Sequence, residues 1–555
     1  MSRPRRTLLA GAGALATWPW LAGCDRAPAE IAGGWVGADA ERGHALRDGR
    51  LPRAGAGAAR RCSVAIVGAG VAGLAAARAL RQAGIDDFRV FELEDGAGGN
   101  ARGHTMDGMR CPLGAHYLPL PGPEAHEVAE WLHEIGIARI EAGRTVFDER
   151  QLCHAPQERI FVAAEHGVNA AGGWHEGLLP LAGAGAGTLA QLRRFAGNVQ
   201  ALQRALSFAM PTLRSRWSPG LGALDAQTFG AWLTASGYDD ATLRAYLDYC
   251  CRDDYGAGLG LVSAWAGLHY FASRHGFHVP GDEAAEPADA VLTWPEGNAR
   301  LTERLAQGLG ERLQTGAVLT RIAPTRHETA LEVWNVRAQQ PQRWIAQQVV
   351  VCVPLFIAAR LLDAVPAPLA EIAPRLAYAP WLVTNLQLRE PLFDRPGPAP
   401  AWDNVIAGSP ALGYVDAMHQ SLRPVPGPTV LTHYWALGGQ SLAELQAARA
   451  RLLKAPWTAW RDAVLADLLP AHLDLPRKLV RIDAMRYGHA MIVPTPGLRG
   501  DPALAALGGA QGRLHFAHAD LSAGSVFEEA FTRGTLAGRA VARAFGGATN
   551  SRRPT

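Results

Sequence analysis

Residues 62–73 read Cys-Ser-Val-Ala-Ile-Val-Gly-Ala-Gly-Val-Ala-Gly, and this stretch decides the fold. Its first six residues form a short apolar run that predicts a buried strand, and the glycine-rich turn leads into an Ala- and Leu-rich helical run that ends at Gly84. A second strand, Phe88 to Phe91, ends at Glu92. A strand, a tight turn, a helix, a strand and an acid in this order predict a dinucleotide-binding unit.

Each glycine of the turn has its own physical reason. Gly68 permits the tight turn, Gly70 lets the backbone approach a pyrophosphate, and Gly73 lets the helix pack closely on the strand. The helix N-terminus offers free N–H groups and partial positive charge to phosphates. Glu92 is able to accept hydrogen bonds from both ribose hydroxyls, and its charge would repel a 2′-phosphate. We therefore expect a dinucleotide without a 2′-phosphate.

The composition excludes several classes of protein. The chain has 555 residues, of which 48% are hydrophobic and 19% charged, as in a globular protein. Lys and Arg exceed Asp and Glu by three (54 − 51), and Arg3, Arg5 and Arg6 account for this excess. A near-neutral body argues against nucleic-acid binding. The seven cysteines show no zinc-binding spacing, so no metal site is predicted.

The N-terminus is typical of an exported protein. Arg5-Arg6 before a mild apolar stretch resembles a twin-arginine export signal, and residues 21–24, Leu-Ala-Gly-Cys, resemble a lipobox in which Cys24 is lipidated. We expect a periplasmic protein that is lipid-anchored, and Asp25 favours the inner membrane. Residues 25–60 look like a tether, although Trp35 leaves open whether part of it packs on the protein.

Residues 92–102, Glu-Leu-Glu-Asp-Gly-Ala-Gly-Gly-Asn-Ala-Arg, resemble the stretch after the ribose acid in flavoprotein amine oxidases, protoporphyrinogen oxidases and phytoene desaturases. The resemblance implies FAD as the cofactor, with Gly98 and Gly99 along its pyrophosphate. It also implies an arginine that reads the phosphate charge. Asn100 follows the glycines directly here, so Arg102 is the candidate.

The resemblance extends over roughly residues 60–545. It implies that the backbone of Val318 holds the adenine, and that Asp520 is the acid on the ribityl or phosphate side. Val526 and Phe527 would begin a long helix under the flavin, whose N-terminus favours negative charge on the reduced ring. No cysteine lies between residues 478 and 500, so we expect FAD to be held without a covalent bond.

These features predict an α/β fold. It has a Rossmann-like FAD-binding domain, built from three discontinuous segments, and an α+β substrate domain. The expected boundaries are a signal at 1–24, a tether at 25–60, the FAD-binding domain at 61–122, 290–356 and 478–546, the substrate domain at 123–289 and 357–477, and a tail at 547–555. Helical stretches are expected at 124–135, 188–210, 239–250 and 442–468, and a small sheet at 382–388 and 430–435.

Four residues are candidates for the flavin face: His116, Tyr117, Tyr487 and His489. They would form an aromatic and imidazole lining that guides a neutral amine, with histidine accepting a proton. The alternative is that the tyrosines pack and the histidines make structural hydrogen bonds. Many amine oxidases carry a lysine near the flavin, and the corresponding register near residues 383–384 holds Val-Thr instead.

Asp253 and Asp254 lie in an acidic group with Asp239, Asp240 and Asp248. Such a group is suited to receive a cationic amine, including a polyamine, or it is a solvated helix end.

Three functions fit the sequence. The first is oxidation of a small substrate, an amine or polyamine before others, by hydride transfer to FAD, with oxygen or a quinone as the final acceptor. The second is a desaturase or porphyrinogen-type oxidase that acts on an apolar molecule. The third is a non-catalytic, FAD-stabilised envelope lipoprotein.

Overall fold

The computed structural model describes residues 31–52, 58–163, 172–181, 183–274, 276–279, 290–395, 397–421, 423 and 425–550. The expected signal and Cys24 lie outside these residues, as does the end of the expected tail. The described part contains no helix that is long and apolar enough to cross a bilayer. The six cysteines within it are buried and unbridged.

The strands are, in chain order, β1 Ala32–Trp35, β2 Arg60–Val67, β3 Phe88–Phe91, β4 Gly103–Met106, β5 Met109–Pro112, β6 Tyr117–Pro119, β7 Ala138–Glu141, β8 Arg144–Phe147, β9 Leu152–Cys153, β10 Glu158–Val162, β11 Gly173–Glu176, β12 Val291–Thr293, β13 Leu313–Gln314, β14 Ala317–Pro324, β15 Thr329–Asn335, β16 Gln340–Val351, β17 Tyr378–Leu388, β18 Asp403–Ile406, β19 Gly413–Asp416, β20 Thr429–Ala436, β21 Leu479–Ile492 and β22 Leu514–Phe516.

The helices are α1 Ala40–Arg47, α2 Val71–Gln82, α3 His126–Glu134, α4 Ala186–Ala205, α5 Pro219–Asp225, α6 Phe229–Ala235, α7 Ala241–Tyr255, α8 Ala264–Ala272, α9 Ala299–Ala306, α10 Leu355–Leu361, α11 Ala367–Ile372, α12 Leu442–Lys454, α13 Trp457–Leu468, α14 Leu475–Lys478, α15 Pro502–Ala506 and α16 Phe527–Asn550.

The first large sheet carries the glycine-rich turn. Its strand order is β13-β3-β2-β16-β15-β14, with β22 beside β16, and β2 pairs in parallel with both β3 and β16. Successive residues of β2 are buried on opposite faces: Ile66 packs towards α2 and α16, and Val67 towards α10 and α11. Strands from three distant parts of the chain thus form one sheet covered by helices on both faces. The predicted α/β class is confirmed.

The second large sheet has eight strands in the order β1-β21-β17-β20-β19-β18-β10-β11. Every residue of β17 and β20 is buried, because helices cover both faces of the sheet at its centre. The small sheet expected from the runs at 382–388 and 430–435 is therefore the centre of a larger one. Its other strands, such as β10 with five residues and β18 with four, are shorter and carry weaker apolar patterns in the sequence.

One predicted helix is two helices. The stretch 442–468 is broken at Ala455-Pro456, where α12 ends and α13 begins. Proline removes a backbone donor and forces the residue before it out of helical geometry, and Ala455 is extended with ψ 139°. The sequence already contained this signal, and the prediction of one helix was wrong.

The described part of the expected tether, residues 31–52, is packed on the protein. We call it the N-terminal segment. Strand β1 pairs with β21 in parallel, and the Arg486 guanidinium lies 4.8 Å from the centre of the Trp35 ring. Asp39 caps helix α1, and its own N–H donates to both oxygens of Glu94 at 3.1 Å. The N-terminal segment therefore joins the two large sheets.

Candidate active site

The glycine-rich turn forms one wall of a cavity. Gly68 has a φ of +97°, which favours glycine, and a Cβ on Gly73 would lie 1.9 Å from the Gly68 carbonyl oxygen. Gly70 precedes α2 as its N-cap and offers no side chain to the first-turn N–H groups. These N–H groups therefore remain open to a ligand.

We call this space the cofactor cavity. Its lining comes from the turn, the loop after β3, the end of β16 and the start of α16: Gly68, Gly70, Val71, Ala72, Glu92, Gly98, Gly99, Asn100, Ala101, Ala115, Cys352, Val353, Pro354, Tyr378, His489, Ala490, His518, Ala519, Asp520, Ser525, Val526, Phe527 and Ala530.

Glu92 lies in the cofactor cavity at the end of β3. One carboxylate oxygen accepts the N–H of Ala69 at 2.8 Å, and the other accepts that of Glu94 at 2.9 Å. Burial raises the pKa of Glu92, although these hydrogen bonds oppose the shift. Each oxygen keeps a lone pair, so the carboxylate is able to bind ribose hydroxyls while it also holds the turn.

The paired glycines lie opposite the turn. Gly98 donates to the carbonyl of Ala69 at 2.8 Å, and a Cβ on Gly99 would come within 3.0 Å of the Gly70 Cα. Asn100 lines the cavity and donates to the carbonyl of Ala490 at 2.7 Å. Arg102 does not line it; its Nε donates to the carbonyl of Gly99 at 3.0 Å, so it supports the glycines from behind.

Val318 and Asp520 have different surroundings. Val318 is buried in β14, next to Ala317, whose N–H donates to the carbonyl of Glu92 at 2.8 Å, but it does not line the cavity. Asp520 does line it. Its Oδ2 accepts the N–H of Leu355 at 2.9 Å and the hydroxyl of Tyr378 at 2.6 Å. This carboxylate therefore fixes the loop before α10 in addition to any contact with a ligand.

These residues fit FAD. A turn that a Cβ would fill, a helix N-terminus without a side-chain cap and a buried carboxylate at the end of the second strand match the pyrophosphate and ribose of a dinucleotide. Gly68, Gly70, Gly98 and Gly99 would hold the pyrophosphate, and Glu92 the ribose. Bound FAD supplies the acceptor for two electrons taken from a substrate.

A second cavity adjoins the first, and Asn100, Ala115, Ala490, Ser525, Val526 and Phe527 line both. We call it the substrate cavity. Its further lining residues are Gly114, His116, Tyr117, Pro119, Asp253, Asp254, Arg274, Asn298, Trp381, Val383, Tyr434, Tyr487, Met491 and Glu528. The shared lining contains the small side chains of Ala490 and Val526, which leave room between the two cavities.

Aromatic rings form the main wall of the substrate cavity. The His116 ring stacks on Tyr434 at 4.3 Å between centroids and lies 5.0 Å from Tyr117 and 5.4 Å from Trp402. Burial lowers the pKa of His116 to about 3, so this imidazole is neutral at neutral pH. The ring of His116 is therefore surrounded by aromatic side chains. Its low pKa makes it a poor proton acceptor.

Tyr487 and His489, two residues apart on β21, line different cavities. Tyr487 lines the substrate cavity, and its hydroxyl donates to the carbonyl of Leu113 at 2.7 Å. His489 lines the cofactor cavity and packs 4.6 Å from the Phe356 ring, and burial lowers its pKa to about 4. The Tyr487 ring bounds the substrate cavity while its hydroxyl is occupied.

The charged residues of the substrate cavity separate into two sets. Arg274 pairs with Asp254 at 3.5 Å and with Glu528 at 3.6 Å. Asp253 is not part of this network. Burial, followed by the charges of Asp254 and Glu158, raises the pKa of Asp253 to about 7.

The expected acidic group is dispersed. Asp240 caps α7 and Asp248 accepts from Arg252 and Gln440, so these carboxylates serve the helix and its neighbours. Asp239 is exposed and accepts from Gln191. The interpretation as a helix end thus describes these three residues, whereas Asp253 and Asp254 reach the substrate cavity.

Two further carboxylates, Glu158 and Asp403, were not predicted from the sequence. Glu158 and Asp403 are direct partners across the parallel strands β10 and β18. Burial raises the pKa of Glu158 to about 7, and burial with the charges of Glu158 and Asp253 raises that of Asp403. Their pairing depends on the register of strands about 245 residues apart, so no local motif reveals it. Tyr434 and Trp402 were missed for the same reason.

An aromatic cavity beside a cavity that fits FAD is the arrangement expected of a flavoprotein oxidoreductase. The family model for "Flavin containing amine oxidoreductase" matches residues 71–542, and the chain belongs to this family. It is thus an FAD-dependent oxidoreductase.

Several solved structures share the fold. Putrescine oxidase bound to putrescine is 17% identical, with a TM-score of 0.63 over 88% of this chain and 100% of that chain. Cyclohexylamine oxidase from Brevibacterium oxydans is 17% identical, with a TM-score of 0.60 over 87% and 99%. A CLA-producing fatty acid isomerase from P. acnes is 17% identical, with a TM-score of 0.55 over 86% and 98%.

A shorter similarity joins the chain to a Baeyer-Villiger monooxygenase of Pseudomonas aeruginosa, 35% identical over 113 residues. The match is 17% of this chain and 21% of that enzyme, so the chain spans about a fifth of this relative's length.

Replacement of Glu92 should weaken FAD binding. Glu92→Gln loses the charge on hydrogen bonds worth about 1.5–3 kcal/mol, so the Kd for FAD should rise roughly ten-fold or more. Titration of the apoprotein, followed by flavin fluorescence, measures this. Glu94→Gln is the matched control, because Glu94 does not line the cofactor cavity. Equal Kd values for the Glu92 variant and the wild type would remove Glu92 from the ribose.

Tyr487 and His489 should differ in effect. Tyr487→Ala removes a wall of the substrate cavity, so it should slow anaerobic flavin reduction about ten-fold or more at unchanged FAD affinity, since lost orientation costs rate. Tyr487→Phe keeps the ring and should stay close to the wild type. His489→Ala should weaken FAD retention instead. Stopped-flow reduction and FAD titration separate the two effects, and a wild-type reduction rate in Tyr487→Ala would contradict the assignment.

Proposed function

We propose that the protein oxidises amines, and that diamines and polyamines with a second ammonium group are its preferred substrates. The observation that carries this proposal is a group of three half-buried carboxylates: Asp253 lines the aromatic substrate cavity, and Glu158 and Asp403 are register partners on adjacent strands. We call these three the acidic chamber.

The acidic chamber is suited to a cation. Each of the three residues is half-buried, and burial raises the pKa of each carboxylate. Among the described residues, none of the three forms an ion pair with an arginine, lysine or histidine. Like charges opposite each other on adjacent strands cost stability, as do buried charges without partners. A bound ammonium group would offset both costs.

The chamber adjoins the aromatic wall. The charges of Asp253 and Glu158 add to the effect of burial in raising the pKa of Tyr117, and those of Asp403 and Asp253 act in the same way on Tyr434. Tyr117, Tyr434 and Asp253 line the same cavity, and Asp403 follows Trp402, whose ring centre lies 5.8 Å from that of Tyr117. An extended diamine would place one nitrogen in the chamber and the reacting carbon at the shared lining. Aromatic faces favour a cation that passes between them.

The residues of the substrate cavity orient and desolvate the substrate. Neutral His116 stacked on Tyr434 bounds a flat slot, and Tyr487 closes it. Such a slot fixes the direction of a reacting C–H bond and excludes water. The likeness to putrescine oxidase and cyclohexylamine oxidase supports an amine as substrate, although it concerns the fold alone.

A second candidate is oxidation or isomerisation of an apolar molecule. It is favoured by the absence of a lysine at Val383, which lines the substrate cavity, and by the likeness to a fatty acid isomerase. The acidic chamber argues against an anionic substrate above pH 7, where ionised Glu158 and Asp253 would repel a fatty acid carboxylate. For an amine substrate, the proposal includes hydride transfer to FAD and oxygen or a quinone as the final electron acceptor.

The decisive experiment is anaerobic reduction of the bound flavin. Putrescine and spermidine should bleach the flavin absorbance at lower concentration than butylamine, because only the first two carry a second cation for the chamber. Bleaching by an unsaturated fatty acid and by none of the amines would favour the second candidate. A flavin that no compound reduces would support a non-catalytic protein.

Asp253→Asn should distinguish diamines from monoamines. Loss of one chamber charge should raise the putrescine concentration for half-maximal reduction at least ten-fold, since ion-paired hydrogen bonds contribute about 1.5–3 kcal/mol. Butylamine carries no second ammonium group, so the butylamine concentration for half-maximal reduction should change less than about three-fold. Asp239→Asn is the control on an exposed carboxylate of the same region. Equal changes for both amines would contradict a second ammonium site.

The same variant should stabilise the protein at high pH. Burial raises the folded-state pKa of Asp253 to about 7, above its ordinary value in an unfolded chain. Its cost to stability is therefore absent at pH values below the unfolded pKa and complete above pH 7. Asp253→Asn should raise the Tm at pH 8 and raise it less at pH 5, by differential scanning calorimetry. A lower Tm at pH 8 would contradict the unpaired state of Asp253.

We also propose that the protein is exported and anchored to the periplasmic side of the inner membrane through Cys24. The support is the sequence of residues 1–25, which joins paired arginines to a lipobox.

A further inference from the structure

Apolar side chains gather at one end of the eight-stranded sheet. Phe393 is 63% exposed, Leu469 39%, Leu473 72% and Val480 42%. They come from the loop after β17, the turn after α13 and the start of β21. We call these four residues the apolar tip.

The apolar tip is held in shape by buried polar contacts. Lys478 is buried, its ammonium donates to the carbonyl of Pro391 at 2.5 Å, and it lies 3.5 Å from the centre of the Phe393 ring. Asp474 pairs with Lys478 at 2.9 Å and accepts the N–H of Phe393 at 2.8 Å. These contacts join the loop to the segment that carries Leu473. The ring of Phe393 is therefore fixed while most of its surface remains in contact with solvent.

The surroundings of the apolar tip are basic. Residues 389–395 and 473–481 contain five cations and three anions, a net charge of +2 (5 − 3). Arg389, Arg477 and Arg481 are exposed, as are Glu390 and Asp394, whereas Asp474 is buried against Lys478. Arg481 also pairs with Asp483 at 2.8 Å. Apolar side chains within a rim of arginine are the composition of surfaces that bind anionic membranes.

The N-terminal segment reaches the same end of the molecule. Ala32 of β1 is the register partner of Arg481, the residue after Val480. Ile31 packs on the same core cluster as Leu392, the neighbour of Phe393. Cys24 precedes Ile31 by seven residues, which span at most about 25 Å. A lipid on Cys24 would therefore keep this end of the protein close to a bilayer.

We propose that the apolar tip inserts into the interface of a phospholipid bilayer that contains anionic lipid. The tip and the predicted anchor would then give the protein two attachments and a defined orientation on the membrane. A second copy of the chain is a weaker occupant, because a stable dimer interface takes roughly 20–30 residues from each partner. The proposal is independent of the substrate, since no residue of the tip lines either cavity.

The test uses the full chain with Cys24→Ala, so that no lipid contributes. This protein should co-sediment with vesicles of phosphatidylethanolamine and phosphatidylglycerol, and bind less to phosphatidylcholine vesicles or at high salt. Phe393→Ser with Leu473→Ser should lower the partition coefficient at least ten-fold. Ile140→Ser is the control, because Ile140 is 61% exposed on β7, away from the tip, and it should leave binding unchanged.

Three outcomes would overturn the proposal: no binding of the Cys24→Ala protein to either vesicle, equal binding of the double variant, or a dimer that the double variant dissociates. Flavin absorbance and Tm verify that each variant is folded. Leu473→Ser alone replaces the double variant if that protein does not fold. Amine-dependent flavin reduction should be the same in all variants, so failure of this proposal is distinguishable from failure of the proposed function.

Discussion

The contact of helix α2 with its two neighbours is the constraint on which both cavities depend. On one side Gly73 touches the carbonyl of Gly68, and on the other Gly534 of α16 approaches the carbonyl of Ala72, where a Cβ would lie 2.0 Å away. Backbone thus meets backbone on both sides of α2. A side chain at Gly73 would push α2 away from the turn, and one at Gly534 would push α16 away from α2. The first residue of α16, Phe527, lines both cavities. The position of the substrate cavity is therefore set by glycines that lie outside it.

The sequence was sufficient where structure is local. The strand, turn, helix and acid from 62 to 92 follow one another along the chain, and their chemistry is fixed by backbone geometry, so the fold class and a bound dinucleotide could be predicted. The family resemblance then implied that the dinucleotide is FAD. The resemblance to a family added the paired glycines and the start of α16. It was less informative for Arg102, because a shift of two residues turns a side chain from the cavity to the back of the loop.

The parts that were missed depend on pairings between distant strands. Glu158 and Asp403 become neighbours only through the register of β10 and β18, and Tyr434 meets His116 only because β20 lies over the segment after β5. Neither pairing leaves a periodic signal. The acidic chamber also opposes stability, since like charges are enclosed together. Such a site lowers the free energy of unfolding of the protein without substrate, which is a common trade-off between stability and activity.

Strand β1 also sets the order in which the chain is able to fold. Its partner β21 lies about 450 residues later, and the first large sheet needs β22, which lies later still. Neither sheet is complete until almost the whole chain has been synthesised, so the N-terminal domain cannot mature first as in vectorial folding. Strands β2 and β3 are able to pair early, whereas β1 stays without its partner until β21 has been synthesised.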